Sequence, residues 1–324
     1  MYTASWLLDE INAYISQFSF IREPKGLYEP VRYVLSNGGK RIRPVLMLMA
    51  YNLYKDNVAK IYGVAFAIEM YHNCTLLHDD LMDKADMRRG RKTVHKVWTD
   101  NTAILSGDAM LILAYRYITD CPPEYLNDIL ALFNETLLGI CEGQQYDMDF
   151  EQRSGVTETE YMEMIRLKTA ILLAASLKIG AILGGASKED ADNLYNFGVC
   201  LGIAFQLKDD FLDVYGDPVV FGKNIGGDIL CNKKTYLLVK ALERADRFQS
   251  GELRRWLEMY RYDSNEKIIA VTTIYNQLGV KEVCENKMQE YYKQAIVALE
   301  TVAIDPVKKM ELKNLAQHLM CREL

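Results

Sequence analysis

Two acidic runs set inside apolar segments constrain the fold of this chain more than any other feature: Asp79-Asp80-Leu81-Met82-Asp83 and Asp209-Asp210-Phe211-Leu212-Asp213. On a helix, the first and last aspartates of each run lie about one turn apart on one face. Like charges at that spacing destabilise a helix by roughly 0.2–0.5 kcal/mol. Half-buried carboxylates cost more unless something positive compensates them. On a polar surface such a run reads as solvated charge. Here Leu76, Leu77, Leu81 and Met82 flank the first run, and Phe205, Leu207, Phe211 and Leu212 the second, so that reading is the weaker one. Carboxylate oxygens without cysteine or clustered histidine suit a hard cation, Mg²⁺ above all, shared with substrate phosphates. The first run also ends a long apolar stretch, 61–82, where the helix dipole favours cations, a further reason to expect metal.

Apolar residues recur at helical spacing almost throughout, and strand-like alternation bounded by hairpin turns is missing. The pattern predicts helices over 3–20, over 27–36 (stopped by Asn37-Gly38-Gly39), from Lys40-Arg41-Ile42-Arg43-Pro44 to about 54, and over 61–82 and 102–117. Further helices are expected from Pro122-Pro123 to Phe150, over 158–184 behind a capped start at Thr157–Glu160, and over 188–214. Asp86–Gly90 reads as a polar turn and 215–233 as a mobile flap, with helix again to the end. With seven prolines in 324 residues and no Pro/Ser/Gly-rich linker, the expectation is one all-α domain over 1–324. The net charge of −6, without a dense Lys/Arg tract, argues against nucleic acid as a partner. Seven scattered cysteines with no C-x-x-C fit reduced thiols and a cytoplasmic location. The start lacks the basic region of a signal peptide. The segment 170–185 is broken by Lys178 and falls short of a membrane span.

The cations form a second pattern. Lys40 and Arg43 stand at a helix start, where backbone N–H groups also favour anions. Arg88 and Arg89 follow the first acidic run, Lys168 sits mid-helix, and Lys223 and Lys233 lie on the flap. Singly, each reads as a solvated charge. Beside two metal-binding runs they describe a polyphosphate site, because Arg forks and Lys point charges both bind phosphate oxygens. Gly38-Gly39-Lys40 lacks the spacing of a nucleotide-binding P-loop. His72 and His78 do not share a helix face, so no zinc set forms, and His72 reads equally well as a core residue.

In order along the chain stand Gly39-Lys40-Arg41-Ile42-Arg43-Pro44, His72, Asp79-Asp80-Leu81-Met82-Asp83 and Arg88-Arg89-Gly90. Gly143-Gln144 with Asp147, Lys168-Thr169, Phe205-Gln206 before the second run, and Gly222-Lys223 follow. With these motifs the sequence resembles the trans-isoprenyl diphosphate synthases, or polyprenyl synthetases, along nearly its whole length. The resemblance implies an all-α, single-domain helical bundle of the isoprenoid synthase type I fold, its two acidic runs facing each other across a central active-site cavity. It implies three Mg²⁺ ions held directly by Asp79, Asp83 and Asp209, with Asp80, Asp210 and Asp213 acting mostly through metal-bound water. Arg88, Lys168, Gln206, Lys223 and Lys233 would hold the allylic diphosphate (dimethylallyl, geranyl or farnesyl), with Gln144 also in the substrate site. Lys40, Arg43, His72 and Arg89 would hold isopentenyl diphosphate. Thr169 would bend its helix and stabilise an allylic cation through its carbonyl. Asn232 departs from the glycine frequent in the family before the flap lysine. The family is usually homodimeric, and an apolar helix such as 102–117 offers an interface.

The implied reaction is head-to-tail (1′–4) condensation of isopentenyl diphosphate with an allylic diphosphate. Metal ions and Lys/Arg stabilise the charge growing on the leaving group, in a site kept dry by a closing flap. The resemblance implies that the growing chain runs down the helix bearing the first run, so that chain length follows from the residues preceding Asp79, with Met110, Leu113 and residues of a partner subunit as other candidates for the floor. The first floor position carries Cys74, with Thr75 beside it, rather than an aromatic residue. Tyr71, one turn further, is large enough to stop growth. Three helical residues span about 4.5 Å, close to one isoprene unit, so the expected product is geranylgeranyl diphosphate, with farnesyl or longer products as alternatives. A class I terpene cyclase would need no isopentenyl site and would replace the second run by an N-x-x-x-S-x-x-x-E pattern. An inactive synthase subunit would lack one run.

Overall fold

The computed structural model describes residues 1–153, 155–217 and 225–321. Contacts group the chain into two compact units. The first comprises 1–134, 175–194 and 303–312; the second comprises 135–174, 195–302 and 313–324.

The first unit opens with α1 (Ala4–Ser16), α2 (Lys25–Ser36), α3 (Ile42–Asn52), α4 (Tyr62–Met82), the short α5 (Val94–Val97) and α6 (Asp100–Ile118). Threonine hydroxyls accept the orphan N–H groups at the starts of α1 and α6, from Trp6 and Thr102 respectively, as helix N-termini require. α3 is buried from Pro44 to Asn52, and α4 is buried on most of its surface. α4 packs along α6 and α3, and Phe66 of α4 stacks on Phe18 with ring centroids 4.8 Å apart. A helix apolar on nearly every side belongs in the middle of its unit, and α4 thereby carries its acidic end out of a fixed core. The turn at 86–90 is more than a loop. Met87–Arg88 and Arg91–Lys92 pair as a two-residue antiparallel hairpin, closed by Arg89 and Gly90 at φ 52° and 75°. Positive φ at both central residues matches the twist of the flanking strands. The strands are too short to leave an alternating pattern in the sequence.

The chain continues through α7 (Leu126–Gln152), α8 (Glu158–Ile165), α9 (Ile171–Gly184) and α10 (Lys188–Tyr215). It ends with α11 (Gly227–Leu230), α12 (Tyr236–Arg244), α13 (Arg247–Glu258), α14 (Ser264–Gln277), α15 (Val280–Thr301) and α16 (Pro306–Met320). Thr157 and Glu160 cap the start of α8 reciprocally, as their spacing predicts. The core of the second unit gathers Phe150, Tyr161, Leu207, Phe211, Tyr236, Leu253, Tyr275 and their neighbours. Between α8 and α9 the helix loosens into a π turn over Arg166–Ala170. Taken together, Glu158–Gly184 is long and apolar enough to cross a bilayer, and 78% of its apolar window is buried in the protein. That corrects the shorter segment read from the sequence, and its burial is what a core helix shows. The second acidic run lies on α10; the 215–233 flap is described only at 215–217 and 225–233, where it includes α11.

Candidate active site

The residues singled out by sequence divide between the units. Lys40, Arg43, Tyr71, His72, Cys74, Thr75, Asp79, Asp80, Asp83, Arg88 and Arg89 belong to the first; Gln144, Lys168, Thr169, Gln206, Asp209, Asp210, Asp213 and Lys233 belong to the second. Lys223 lies outside the described residues.

In the first unit the acidic run closes α4, with Asp83 at the C-cap. Asp79 is half-buried and Asp83 exposed, while Asp80 is buried. Arg88 Nε donates to Asp80 Oδ1 at 2.7 Å. Burial pushes the Asp80 carboxyl above the usual carboxylate range, and the Arg88 charge opposes that shift. The hairpin that returns Arg88 to Asp80 also sends Arg89 to the glycine loop, where its guanidinium donates to the Gly38 carbonyl. A Cβ on Gly39 would stand 2.7 Å from that guanidinium. With φ at 137°, Gly39 satisfies both demands as no other residue can.

The loop is pinned from beneath by Arg41, a buried residue in left-handed conformation (φ 46°). Its Nη1 donates to Glu69 Oε1 at 2.5 Å and its Nη2 to the Leu35 carbonyl at 2.8 Å. Asn73 Nδ2 donates to the same Glu69 oxygen at 2.8 Å. Arg43 Nη1 donates to His72 Nε2 at 3.1 Å, which requires a neutral imidazole. Burial lowers the His72 pKa well below its ordinary value, and the charges of Arg43, Arg89, Arg88 and Arg41 lower it further. His72 is therefore a neutral acceptor inside a cationic cluster, and Lys40 is exposed at its edge. Four arginines set against two buried carboxylates, Glu69 and Asp80, form a site that attracts a polyanion.

In the second unit the acidic run repeats the same division. Asp209 and Asp213 are half-buried and Asp210 is buried. The hydroxyl of Tyr161 and the Tyr236 N–H (3.2 Å) donate to Asp210 Oδ2, and Gln206 Nε2 donates to Oδ1 at 3.0 Å. Burial raises the Asp210 pKa, with the Asp228 charge adding to it and the hydrogen bonds working against it. Gln206 links onward, its Oε1 accepting from Thr169 Oγ1 at 3.0 Å. Asp213 Oδ2 accepts the Asp228 N–H at 2.9 Å. Lys168 Nζ donates to Asp147 Oδ2 at 2.6 Å. A Cβ on Gly143 would fall 2.4 Å from the Lys168 nitrogen, so the bare glycine lets α7 approach the π turn that carries Lys168 and Thr169. π turns of this kind concentrate at functional positions. Gln144 beside it is half-buried.

Glu69, Asn73 and Tyr161 escaped sequence reasoning, and Arg41 and Asp228 were seen in the sequence without a role. Glu69 had a signal, since it is the only acidic residue between Tyr62 and His78 on an apolar helix. Tyr161 had none, lying 49 positions from its partner Asp210.

The donor set fits magnesium. Among the described residues no group of three or more His, Cys, Asp or Glu forms a ready metal cage. Magnesium does not ask for one, because it takes one or two carboxylates, keeps waters and shares substrate phosphates. Each run offers solvent-reachable aspartates one helical turn apart, all oxygen donors.

Comparison with known proteins places the whole chain among relatives of one kind. Residues 24–278 match the polyprenyl synthetase family. The geranylgeranyl diphosphate synthase of Methanosarcina mazei is 35% identical over 318 residues, 97% of this chain and 95% of its own length. A crystal structure of a geranylgeranyl pyrophosphate synthase superposes with a TM-score of 0.95 at 41% identity, covering 100% of both chains. The Corynebacterium glutamicum geranylgeranyl pyrophosphate synthase, solved with isoprenyl diphosphate and magnesium, gives a TM-score of 0.87 at 27% identity over 99% of this chain and 98% of that one.

Glu69→Gln tests the buried anchor. Leaving Arg41 without its counter-charge is expected to destabilise the protein by roughly 3–5 kcal/mol, read by denaturant unfolding. A loss below about 1 kcal/mol, the scale of an exposed pair, would show that the pair does not anchor the loop.

Proposed function

The chain belongs to the polyprenyl synthetase family, and on that premise we propose that it condenses isopentenyl diphosphate with an allylic diphosphate, head to tail (1′–4), to give an all-trans prenyl diphosphate. It is a prenyltransferase. The observation that carries the reading is the repeated division of each acidic run: the second aspartate is buried and bonded inward, while the first and last remain within reach of solvent.

The allylic C–O bond ionises to a cation and diphosphate, the isopentenyl double bond attacks the cation, and the proton then lost is taken up by the departed diphosphate. No side-chain nucleophile takes part. Lys168, Gln206 and Lys233 are assigned to the allylic diphosphate, and Arg88 to the same negative charge. Lys40, Arg43, His72 and Arg89 are assigned to isopentenyl diphosphate, His72 as a neutral acceptor that adds no charge of its own. The π turn interrupts the α-helical ladder at Thr169, which fits a backbone carbonyl turned to an electron-poor carbon. Asp79, Asp83 and Asp209 would hold magnesium directly and Asp80, Asp210 and Asp213 through water, and magnesium bound there would neutralise charge on the leaving group. Its presence with isoprenyl diphosphate in the Corynebacterium relative supports that assignment. Incubation with Mg²⁺, isopentenyl diphosphate and dimethylallyl, geranyl or farnesyl diphosphate is expected to give chain extension. A cyclised hydrocarbon would identify a cyclase, and no product an inactive subunit. Asp79→Asn and Asp209→Asn are each expected to lower kcat/KM by about 10²–10³; activity within tenfold of wild type in both would overturn the assignment.

The product proposed is geranylgeranyl diphosphate. Tyr71 and Cys74 are buried on α4. The Tyr71 ring meets Phe133 edge-on at 5.9 Å, and Phe133 meets Tyr115 at 5.2 Å, so the stop at Tyr71 is braced by two further rings. Thr75 is half-buried, its hydroxyl donating to the His72 carbonyl at 2.8 Å. By mass spectrometry, Cys74→Phe should shorten the product and Tyr71→Ala lengthen it; unchanged lengths in both would refute this floor.

A homodimer is proposed as the working form. α6 leaves Ile104, Leu105 and Ile112 47%, 60% and 69% exposed, apolar area that a second copy would cover. Sedimentation should give a dimer that Ile112→Asp weakens; a wild-type monomer at micromolar concentration would exclude it. Seven cysteines outside any disulfide fit a reducing, cytoplasmic setting, which cell fractionation checks.

A further inference from the structure

In the second unit the segment from Asp228 to Tyr236 is strung between two aspartates of the acidic run. The Asp228 N–H donates to Asp213 Oδ2 at 2.9 Å, and the Tyr236 N–H to Asp210 Oδ2 at 3.2 Å. Lys233 stands between these anchors. Its N–H donates to the Asp228 carbonyl at 2.9 Å, and its own carbonyl accepts the Thr235 N–H at 2.9 Å. The aim of Lys233 therefore depends on the residue before it, Asn232, which adopts the left-handed conformation with φ at 57°. Asparagine enters that region at moderate cost when its side chain finds local partners.

Asn232 finds partners at both ends of its amide. Nδ2 donates to the Leu257 carbonyl at 3.0 Å, and Oδ1 accepts from Lys267 Nζ at 2.6 Å. Lys267, on α14, is fully buried, and burial lowers its pKa. Among the described residues its partners are an amide oxygen and an aromatic face, not a carboxylate: Nζ lies 4.3 Å from the centroid of the Tyr262 ring. The Tyr262 hydroxyl donates in turn to the Leu230 carbonyl at 3.1 Å, at the end of α11. A buried ammonium is an expensive way to fill space that a methionine would fill at no electrostatic cost. The reaction steps make no use of it. What it does contribute is a strong donor to Asn232.

We propose that Lys267 is a positioning residue that, through Asn232, locks the left-handed turn presenting Lys233 to the allylic diphosphate. A glycine at this place would need no such brace, because glycine takes positive φ unaided. Asn232 and Lys267 thus act as a pair. The inference deepens the function proposed above and rests on it.

Lys267→Met and Lys267→Gln, each in the native and the Asn232→Gly background, test the proposal. Lys267→Met is expected to raise KM for the allylic diphosphate about tenfold, the effect of one lost hydrogen bond to a charged group, with KM for isopentenyl diphosphate unchanged within twofold. Amide hydrogen exchange over 228–236 should accelerate in step. Lys267→Gln, which keeps a donor, should recover most of both losses. In the Asn232→Gly background, Lys267→Met should cost less than about threefold, because the hydrogen bond it removes is already gone. The proposal is overturned if Lys267→Met lowers Tm while the allylic KM and the exchange at 228–236 stay as in wild type, or if its cost is undiminished in the Asn232→Gly background. Should Lys267→Met fail to fold, Lys267→Gln and the double variant make the same comparison. Failure of the functional reading looks different: the wild type then extends no primer, and Mg²⁺ with inorganic pyrophosphate leaves exchange at 228–236 unprotected.

Discussion

A carboxylate taken out of water has to be met by a donor or it destabilises the fold by several kcal/mol, and this chain places carboxylates in apolar helices again and again. Asp80, Glu69 and Asp210 are all buried. Each is met: by Arg88, by Arg41 with Asn73, and by Tyr161, Gln206 and the Tyr236 amide. Successive side chains on a helix are separated by about 100°. Fixing the second aspartate of a run toward the protein therefore turns the first about 100° away from it, while the last, three residues on, stands only about 60° from it. The inward bonds of Asp80 and Asp210 thus hold Asp79 and Asp209 off the protein interior, where both stay half-buried.

The cationic half follows the complementary rule. Arg41, Arg43, Arg88 and Arg89 all depress the His72 pKa, which means that they repel one another as well. Two buried carboxylates, Glu69 and Asp80, cannot neutralise four guanidinium groups. The fold tolerates the surplus by placing Arg41 and Arg89 in left-handed conformations on loops and by bonding them to carbonyls of Leu35 and Gly38. A site strained by like charge is preorganised for a polyanion, because the repulsion is already present before the ligand arrives and is relieved only when it binds.

The helical scaffold was readable because apolar spacing is a local property, and the observed ends of α2, α4, α6 and α10 fall within two residues of the pattern. The chemistry-bearing residue types were readable for the same reason: aspartates one turn apart need only a helix. What the sequence did not disclose is contact between distant positions. Arg88 reaches Asp80 from the first strand of a hairpin whose strands are two residues long, too short for any periodicity. The π turn at Lys168 and Thr169 depends on glycines elsewhere, Gly143 and Gly202, whose missing Cβ atoms admit the Lys168 nitrogen and the Ala170 Cα. Tyr161, Phe133 and Lys267 looked like ordinary helix residues, since burial beside a polar partner leaves no mark on periodicity. Asn232 stood out in the sequence, but its partner Lys267 did not.

The two acidic runs, alike in spelling, are held differently, and this bears on how each can handle an ion. In the second run Asp213 is engaged twice, its carboxylate by the Asp228 N–H and its carbonyl by the Gly226 N–H. In the first run the corresponding Asp83 is an exposed C-cap, at a helix end whose dipole disfavours negative charge. A carboxylate fixed by a backbone donor loses little entropy on binding but gives up lone-pair capacity to that donor. A cation arriving at Asp83 would relieve the conflict of its charge with the helix dipole. The same five-residue pattern thus meets different demands: in one unit its last carboxylate already accepts a backbone donor, and in the other it stands against the dipole of its own helix.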